Sequence, residues 1–142
     1  MAYQTKIRKV RVAVGAFSSE QMLQIGQPFA RSIKARIERG ENVQDQAAKP
    51  LSQAYARSKG RRGLQAIRDW TWTGRTLRAL NVLNVSANRG NIGFSDPVAD
   101  LRAHINNSRD RQFGVAPSDQ KILVSAVRSI GQQAHVAQWV AA

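Results

Sequence analysis

The pattern of apolar positions predicts two long helices, one near each end of the chain. In residues 18–39 and again from Pro117 onward, apolar side chains step by three or four, the spacing of one helical face. Pro28 interrupts the first run, so a short helix, a kink and a second helix from about Pro28 are expected. Ser18 and Gln21 form a capping box, and Gly40 ends the helix. The predicted buried faces are Met22, Ile25, Phe29, Ile33 and Ile37, then Ile122, Leu123, Ala126, Val127 and Ile130; the predicted polar side of the first helix carries Arg31, Lys34, Arg36 and Arg39.

Between these helices, residues 73–94 predict a short helix that leads into a β-hairpin. Thr73 is a candidate cap for a helix opened by Gly74, with Leu77 and Leu80 on one face. Residues 81–87 are the first predicted strand and residues 92–94 the return strand. Residues 88–91 supply the turn, because Asn and Gly tolerate positive φ. The whole chain is therefore predicted to be α+β, with the N-terminal and C-terminal helices packed on a small antiparallel sheet.

Two shorter helices are predicted on either side of this unit. Pro50-Leu51 opens the first, which ends in a basic, glycine-rich segment, residues 57–63, expected to be exposed. Residues 64–72 are expected to return to the core. Ser95-Asp96-Pro97 caps the second short helix, whose apolar side carries Val98, Leu101 and Ile105.

Both ends of the chain are predicted to lie outside the central domain, residues 18–131. Residues 1–17 are predicted to be a basic strand or arm, because three valines alternate with other residues: either an edge strand or an arm that becomes ordered on a partner. Residues 132–142 form an apolar tail. Neither end has an evident slot in a core of this size, so both are expected to bury apolar side chains on another subunit. The expected anchors are Val10, Val12, Val14, Trp139 and Val140.

The net charge is the outlying bulk property. Among 142 residues there are 22 Lys and Arg against 9 Asp and Glu, a formal charge of +13. This imbalance favours an acidic partner, although it also raises solubility without any partner. No apolar run approaches the ~18 residues that would span a bilayer. The candidate polyanion-facing residues are Lys6, Arg8, Lys9, Arg11, Arg57, Lys59, Arg61 and Arg62.

The residue types needed for catalysis are sparse. The chain has no cysteine and two histidines, His104 and His135, too far apart in sequence for a paired metal motif. No phosphate-binding loop or dinucleotide fingerprint is present. Asp96 and Asp100 share a helix face, but two acids in a first turn favour the helix dipole more often than a metal. We therefore predict that the protein is not an enzyme and uses no cofactor.

A G-x-x-G sequence with two arginines at its centre, Gly60 to Gly63, leaves two interpretations open. KH domains grip a nucleic-acid backbone with such a loop, whose amides approach phosphates where side chains are absent. The other interpretation is a basic surface loop, which the early interruption of the following helix favours.

Several short motifs follow one another along the chain: Lys49-Pro50-Leu51, Tyr55, Lys59, Thr73-Gly74 with Leu77, Ala103-His104, Arg111 to Gly114 with Phe113, and Ser118-Asp119. Over about residues 20–130, their order resembles that of the phage virion morphogenesis family of tail-completion proteins. The resemblance implies a small α+β structural protein of the virion neck, assembled in the host cytoplasm as one subunit of a ring that joins head to tail. Other neck, portal-adaptor and tail proteins would be its partners, with DNA in the channel as a further candidate. The alternative class is a nucleic-acid-binding module, which need not form a ring.

Overall fold

The computed structural model describes residues 17–70, 74–86, 89–107 and 110–141, with side chains for all of these except 89 and 132–141. Within them the protein is α+β, as predicted: five helices and one antiparallel pair of strands. Helix α1 contacts both the hairpin and α5. The C-terminal helix therefore packs on α1, whereas the sequence predicted that it packs on the sheet. The elements are α1 Ser19–Glu38, α2 Gln53–Arg61, α3 Arg75–Ala79, β1 Leu80–Ser86, β2 Arg89–Phe94, α4 Pro97–Asn107 and α5 Pro117–Ala141.

Helix α1 is one continuous helix, so the predicted break at Pro28 is wrong. The predicted capping box is confirmed, since Ser18 and Gln21 exchange side-chain and backbone hydrogen bonds. At the other end, Gly40 has φ +74° and donates to the Ile37 carbonyl, while Glu41 donates to Arg36, the Schellman pattern. Proline in the interior of a helix destabilises it by ~3 kcal/mol. Burial of apolar side chains on both sides of Pro28 offsets that cost.

The hairpin is longer than predicted, because β2 begins at Arg89 and the connection is residues 87–88. Residues predicted to form the turn instead pair across the sheet: Gly90 lies opposite Val85, and Asn91 opposite Asn84. A bulge interrupts the ladder between Val82 and Asn84.

Phe113 lies at the centre of the core. Trp70 and Phe94 approach it edge-on, with ring centroids 4.9 and 5.3 Å away. The prediction that Ile122 is buried is wrong: this side chain is 42% exposed, and the neighbouring Leu123 is buried instead. The buried cluster comprises Phe17, Ile25, Phe29, Ile33, Ile37, Leu77, Leu80, Ala103, Phe113 and Leu123.

Helix α4 turns its large apolar side chains outward. It buries Ala99 and Ala103, small residues that allow it to lie close against the core. Val98, Leu101 and Ile105, the apolar side found in the sequence, are 42, 40 and 49% exposed. We refer to these three residues as the α4 stripe.

The chain ends in a continuation of α5, not in a separate tail, because the backbone is helical to Ala141. The side chains of the predicted anchors Trp139 and Val140 lie outside the described residues. So do Val10, Val12, Val14 and the basic residues Lys6, Arg8, Lys9 and Arg11 of the predicted N-terminal strand.

Candidate functional site

The G-x-x-G sequence forms the C-terminal cap of α2. Arg62 is the C-cap, and Gly63 follows with φ +71°. Gly63 donates its amide to the Gly60 carbonyl, and Leu64 donates to the Lys59 carbonyl, each at 3.0 Å. This is again the Schellman pattern, which occupies the amides with the last carbonyls of the helix. The amides that a KH-type loop would offer to phosphates are therefore already bonded.

Lys59 is buried, which corrects its prediction as a polyanion-facing residue. Its side chain is 2% exposed and forms an ion pair with Asp69, which is equally buried. The same ammonium donates to the Ile67 carbonyl at 2.7 Å. The apolar surroundings would make an unpaired ammonium costly, and the carboxylate and carbonyl satisfy it. Lys59 thus ties the end of α2 to the segment before Trp70, and is unavailable to an external anion.

The other basic residues predicted near this cap are exposed. Arg57 and Arg61 lie on the outside of α2, and Arg62 is exposed at its end. The macrodipole places partial negative charge at a helix C-terminus, so these cations stabilise the helix even without a partner.

The carboxylates of the protein are largely engaged by internal donors. All nine belong to the described residues, and four form ion pairs. Two more accept from other groups: Asp45 from Ser118, and Asp110 from the Lys49 amide. The ion pairs are Arg36 with Asp119, Arg39 with Glu41, Lys59 with Asp69, and Arg75 with Asp96.

The surplus of positive charge therefore lies on the surface. Its members are spread over α1, α2, α3, α4, α5 and the loops, so they give a generally basic exterior and not one localised pocket. The exposed cations outside the four ion pairs are Arg31, Lys49, Arg57, Arg61, Arg62, Arg78, Arg102, Arg111, Lys121 and Arg128.

The pKa values of two carboxyl groups, Asp45 and Asp96, are lowered. The hydrogen bond from Arg75 at 2.5 Å lowers the pKa of Asp96, whose other oxygen caps α4 through the Val98 amide. Burial would raise the pKa of Asp45, but hydrogen bonds from the Ser118 side chain and amide outweigh it, so the pKa is lowered. Both carboxylates hold the start of a helix. Asp96 and Asp100 thus begin α4 as the helix-dipole interpretation proposed, and among the described residues no group of three or more possible ligands is placed to hold a metal.

Several motif residues of the family resemblance lie inside the protein. Leu77 and Phe113 belong to the buried cluster, and Asp119 is 0% exposed. Gly114 has no room for a side chain, since a Cβ there would lie 2.9 Å from Val43 Cγ1. Gly74 is the N-cap of α3, with φ +68°, and not its first residue; Thr73 lies outside the described residues.

Five other motif residues are exposed: Lys49, Pro50, Tyr55, His104 and Arg111. His104 lies on the outer side of α4. The backbone carbonyl of Arg111 accepts from the Val43 amide at 2.9 Å, which joins the loop after α1 to the segment before α5.

A buried arginine that the sequence placed on the polar side of α1 holds the two ends of the domain together. Arg36 is 0% exposed; its Nε donates to Asp119 at 2.9 Å, and its Nη2 donates to the carbonyls of Gln112 and Gly114. Asp119 also accepts from Ser32 and from the Ala116 amide. We call this group the arginine clamp. The sequence feature that indicates burial of Arg36 is its position: it lies three residues after Ile33 and directly before Ile37, within the apolar face of the helix.

The sequence pattern also does not identify Gln112 as a core residue, because glutamine is rarely buried. Its side chain accepts from the Trp70 indole at 2.8 Å and donates to the Arg68 carbonyl at 2.6 Å. It thereby fixes Trp70, which has φ +61°.

Comparison with protein-family models, with curated proteins and with solved structures finds no match for this chain. The described helices include none with the length and apolar character required to cross a membrane.

Proposed function

We propose that this protein is a structural subunit of a tailed-phage neck, which forms a ring and joins head to tail around the DNA channel. The observation that carries the proposal is the α4 stripe: three large aliphatic side chains in line, each at least 40% exposed, on a small domain. Lines of exposed apolar side chains on soluble proteins commonly mark contact with another protein. In a closed ring every subunit presents the same surface to its neighbour.

Two further features support this assignment. Several motif residues of the family resemblance, among them Leu77, Phe113 and Asp119, are core positions, as expected if they specify a fold and not a catalytic site. The exterior is basic while the carboxylates are largely engaged internally, which suits a subunit close to DNA without sequence recognition. The proposed location is accordingly the virion, with neck, portal-adaptor and tail proteins as partners and no catalytic role.

The test is assembly of the full chain and of matched variants. Native mass spectrometry and electron microscopy should show closed oligomers for the parent protein, and Leu101→Asp should release monomers, because a charge at a buried contact is strongly unfavourable. Val124→Asp is the matched control, since Val124 is exposed to a similar extent, 46%, on α5. Circular dichroism would check that both variants fold. A monomeric parent protein, or rings that persist in Leu101→Asp, would contradict the proposal.

The nucleic-acid-binding alternative would need a different mechanism from a KH-type grip. The cap of α2 occupies the amides of the G-x-x-G sequence, and Lys59 is buried. In a filter assay at physiological salt we expect no tight binding of RNA or single-stranded DNA by the isolated chain. Sub-micromolar, sequence-selective binding that Arg61→Asp with Arg62→Asp abolishes would favour the alternative.

A further inference from the structure

The two-stranded sheet has an open edge at which another strand fits. In the described part of the chain, β1 and β2 pair only with each other. Two strands alone are marginally stable, and sheets of three or more are the usual minimum unless a helix covers them. Here α1 covers one face, while Leu83 on the other is 43% exposed.

The contacts of α1 with the hairpin define their relative direction. Near the start of α1, Met22 Cε lies 3.8 Å from the position of a Cβ on Gly90. Further along, a Cβ on Gly26 would lie 3.1 Å from Val82. Near its end, the Lys34 ammonium donates to the Asn81 side chain at 3.2 Å. Helix α1 therefore runs antiparallel to β1, and its first turn lies beside the closed end of the hairpin.

A strand that precedes α1 by a short loop must run in the opposite direction to α1 if it joins the same sheet. Its direction is then parallel to β1 and antiparallel to β2. Residues 8–14 carry the alternating valines, and only residues 15–18 separate them from α1. Loops of two to six residues commonly connect strands to helices. Phe17, buried in the core, anchors the end of this loop.

The hydrogen-bonding pattern shows on which side of β1 the partner strand lies. Ser95 donates its amide to the Ala79 carbonyl at 2.8 Å, in the register that pairs Leu80 with Phe94. Since pairs alternate along an antiparallel ladder, Leu80 and Val82 direct their amides and carbonyls away from β2. Val82 also faces α1. For L-residues, these two facts place β2 to the left of β1 when the sheet is viewed from α1 with β1 running upward.

The handedness of the connection from this strand through α1 to β1 then determines which edge of the hairpin the strand occupies. Strand–helix–strand connections between parallel strands of one sheet are right-handed in ~98% of cases. With α1 toward the viewer, a right-handed connection requires the preceding strand to lie left of β1. The open position on that side is the outer edge of β2. The other edge of the hairpin, beyond β1, would require the rare left-handed connection.

We propose that residues 8–14 bind the outer edge of β2 in the same chain as a third, antiparallel strand, with β2 at the centre of the sheet. Seven extended residues span ~23 Å, which matches the six residues of β2. The four-residue link keeps this segment close to the edge, so its effective concentration exceeds that of another copy. The occupant is thus the chain itself, and this proposal is independent of the neck function.

The proposed strand would place its two kinds of residue on opposite faces. Val10, Val12 and Val14 would extend the apolar face toward α1, and Lys9 and Arg11 would lie on the opposite face, the one that carries Leu83 on β1.

Hydrogen exchange measured by NMR on the full chain provides the first test. The amides of Ile92 and Phe94, opposite Val82 and Leu80, point to the outer edge of β2, whereas that of Gly93 points to β1. In a variant lacking residues 1–14, exchange of the Ile92 and Phe94 amides should accelerate at least ~tenfold relative to the full chain, with Gly93 little changed. Equal exchange at Ile92 and Phe94 in both proteins would overturn the proposal.

Disulfide trapping in the full chain tests the same proposal without truncation, and the absence of cysteine makes introduced pairs unambiguous. Arg11→Cys or Ala13→Cys combined with Asn91→Cys should give an intramolecular disulfide, seen as a shifted monomer on a non-reducing gel. Asn84→Cys is the matched control: on β1 it would lie two strands, ~10 Å, from the segment, too far to bridge. Trapping with Asn84, trapping only between chains, or no trapping with Asn91 would each overturn the proposal.

Discussion

Replacing each of the two glycines of the G-x-x-G sequence with alanine should change the free energy of unfolding in opposite directions. Gly60 is inside α2, and a Cβ built there meets nothing within 4 Å. Gly63 has equally open surroundings but a φ of +71°. Because neither site is sterically blocked, the two substitutions differ only in backbone conformation. The comparison therefore isolates the cap from packing.

The expected magnitudes follow from that difference. Alanine in a helix interior is favoured over glycine by ~0.8–1.0 kcal/mol, and Gly60 lies in the last turn, so Gly60→Ala should stabilise by about half that. A left-handed conformation costs an L-residue roughly 1–2 kcal/mol, partly offset by the stiffer unfolded chain. Gly63→Ala should therefore destabilise by about 1 kcal/mol. Gly63→Asn should lose less, since asparagine tolerates this conformation.

Urea denaturation followed by circular dichroism measures both changes against the parent protein. The midpoint should rise for Gly60→Ala and fall for Gly63→Ala, with the m-value unchanged. Equal losses at the two positions would show that Gly60 is needed for something other than the helix, as a phosphate-gripping loop requires. A neutral Gly63→Ala would show that the cap of α2 is absent in solution.

Three further predictions concern the core, the buried ion pair and acid stability. Leu77→Ala should cost ~2–5 kcal/mol in urea denaturation through lost transfer energy and the cavity; a loss below ~0.5 kcal/mol, the range of surface substitutions, would contradict its core position. Lys59→Met should cost ~3–5 kcal/mol, because the buried Asp69 carboxylate would lose the ammonium with which it forms an ion pair; the exposed Arg61→Ser is its control, and equal small effects would mean that Lys59 is exposed. The pKa of Asp96 is lowered by Arg75, so its stabilising effect is present above its unfolded pKa of ~3.9 and is lost as pH falls through the folded pKa. Asp96→Asn should accordingly flatten the acid side of the stability–pH curve, and an unchanged curve would refute this linkage.

Local signals in the sequence determined most of the elements. The capping box at Ser18 and the end of α1 at Gly40 depend on bonds between residues a few positions apart, and so in part does the start of α5, where the Ala116 amide donates to Asp119. A pattern of residue types can therefore specify them without knowledge of the rest of the chain. The α+β class followed from the same signals. The turn of the hairpin was misplaced because asparagine and glycine tolerate both turn and strand conformations.

Tertiary structure decided which side chains are buried. Arg36 lies within the apolar face of α1 but has the residue type of a surface position, and Asp119, 83 positions later, together with the nearby carbonyls makes its burial possible. Likewise Lys59 is internal because the chain returns with Asp69. Helical spacing gives the phase of an apolar face but not the element that covers it. The α4 stripe thus stays exposed while the small alanines beside it pack inward, and a surface able to bind another subunit becomes visible only in the folded protein.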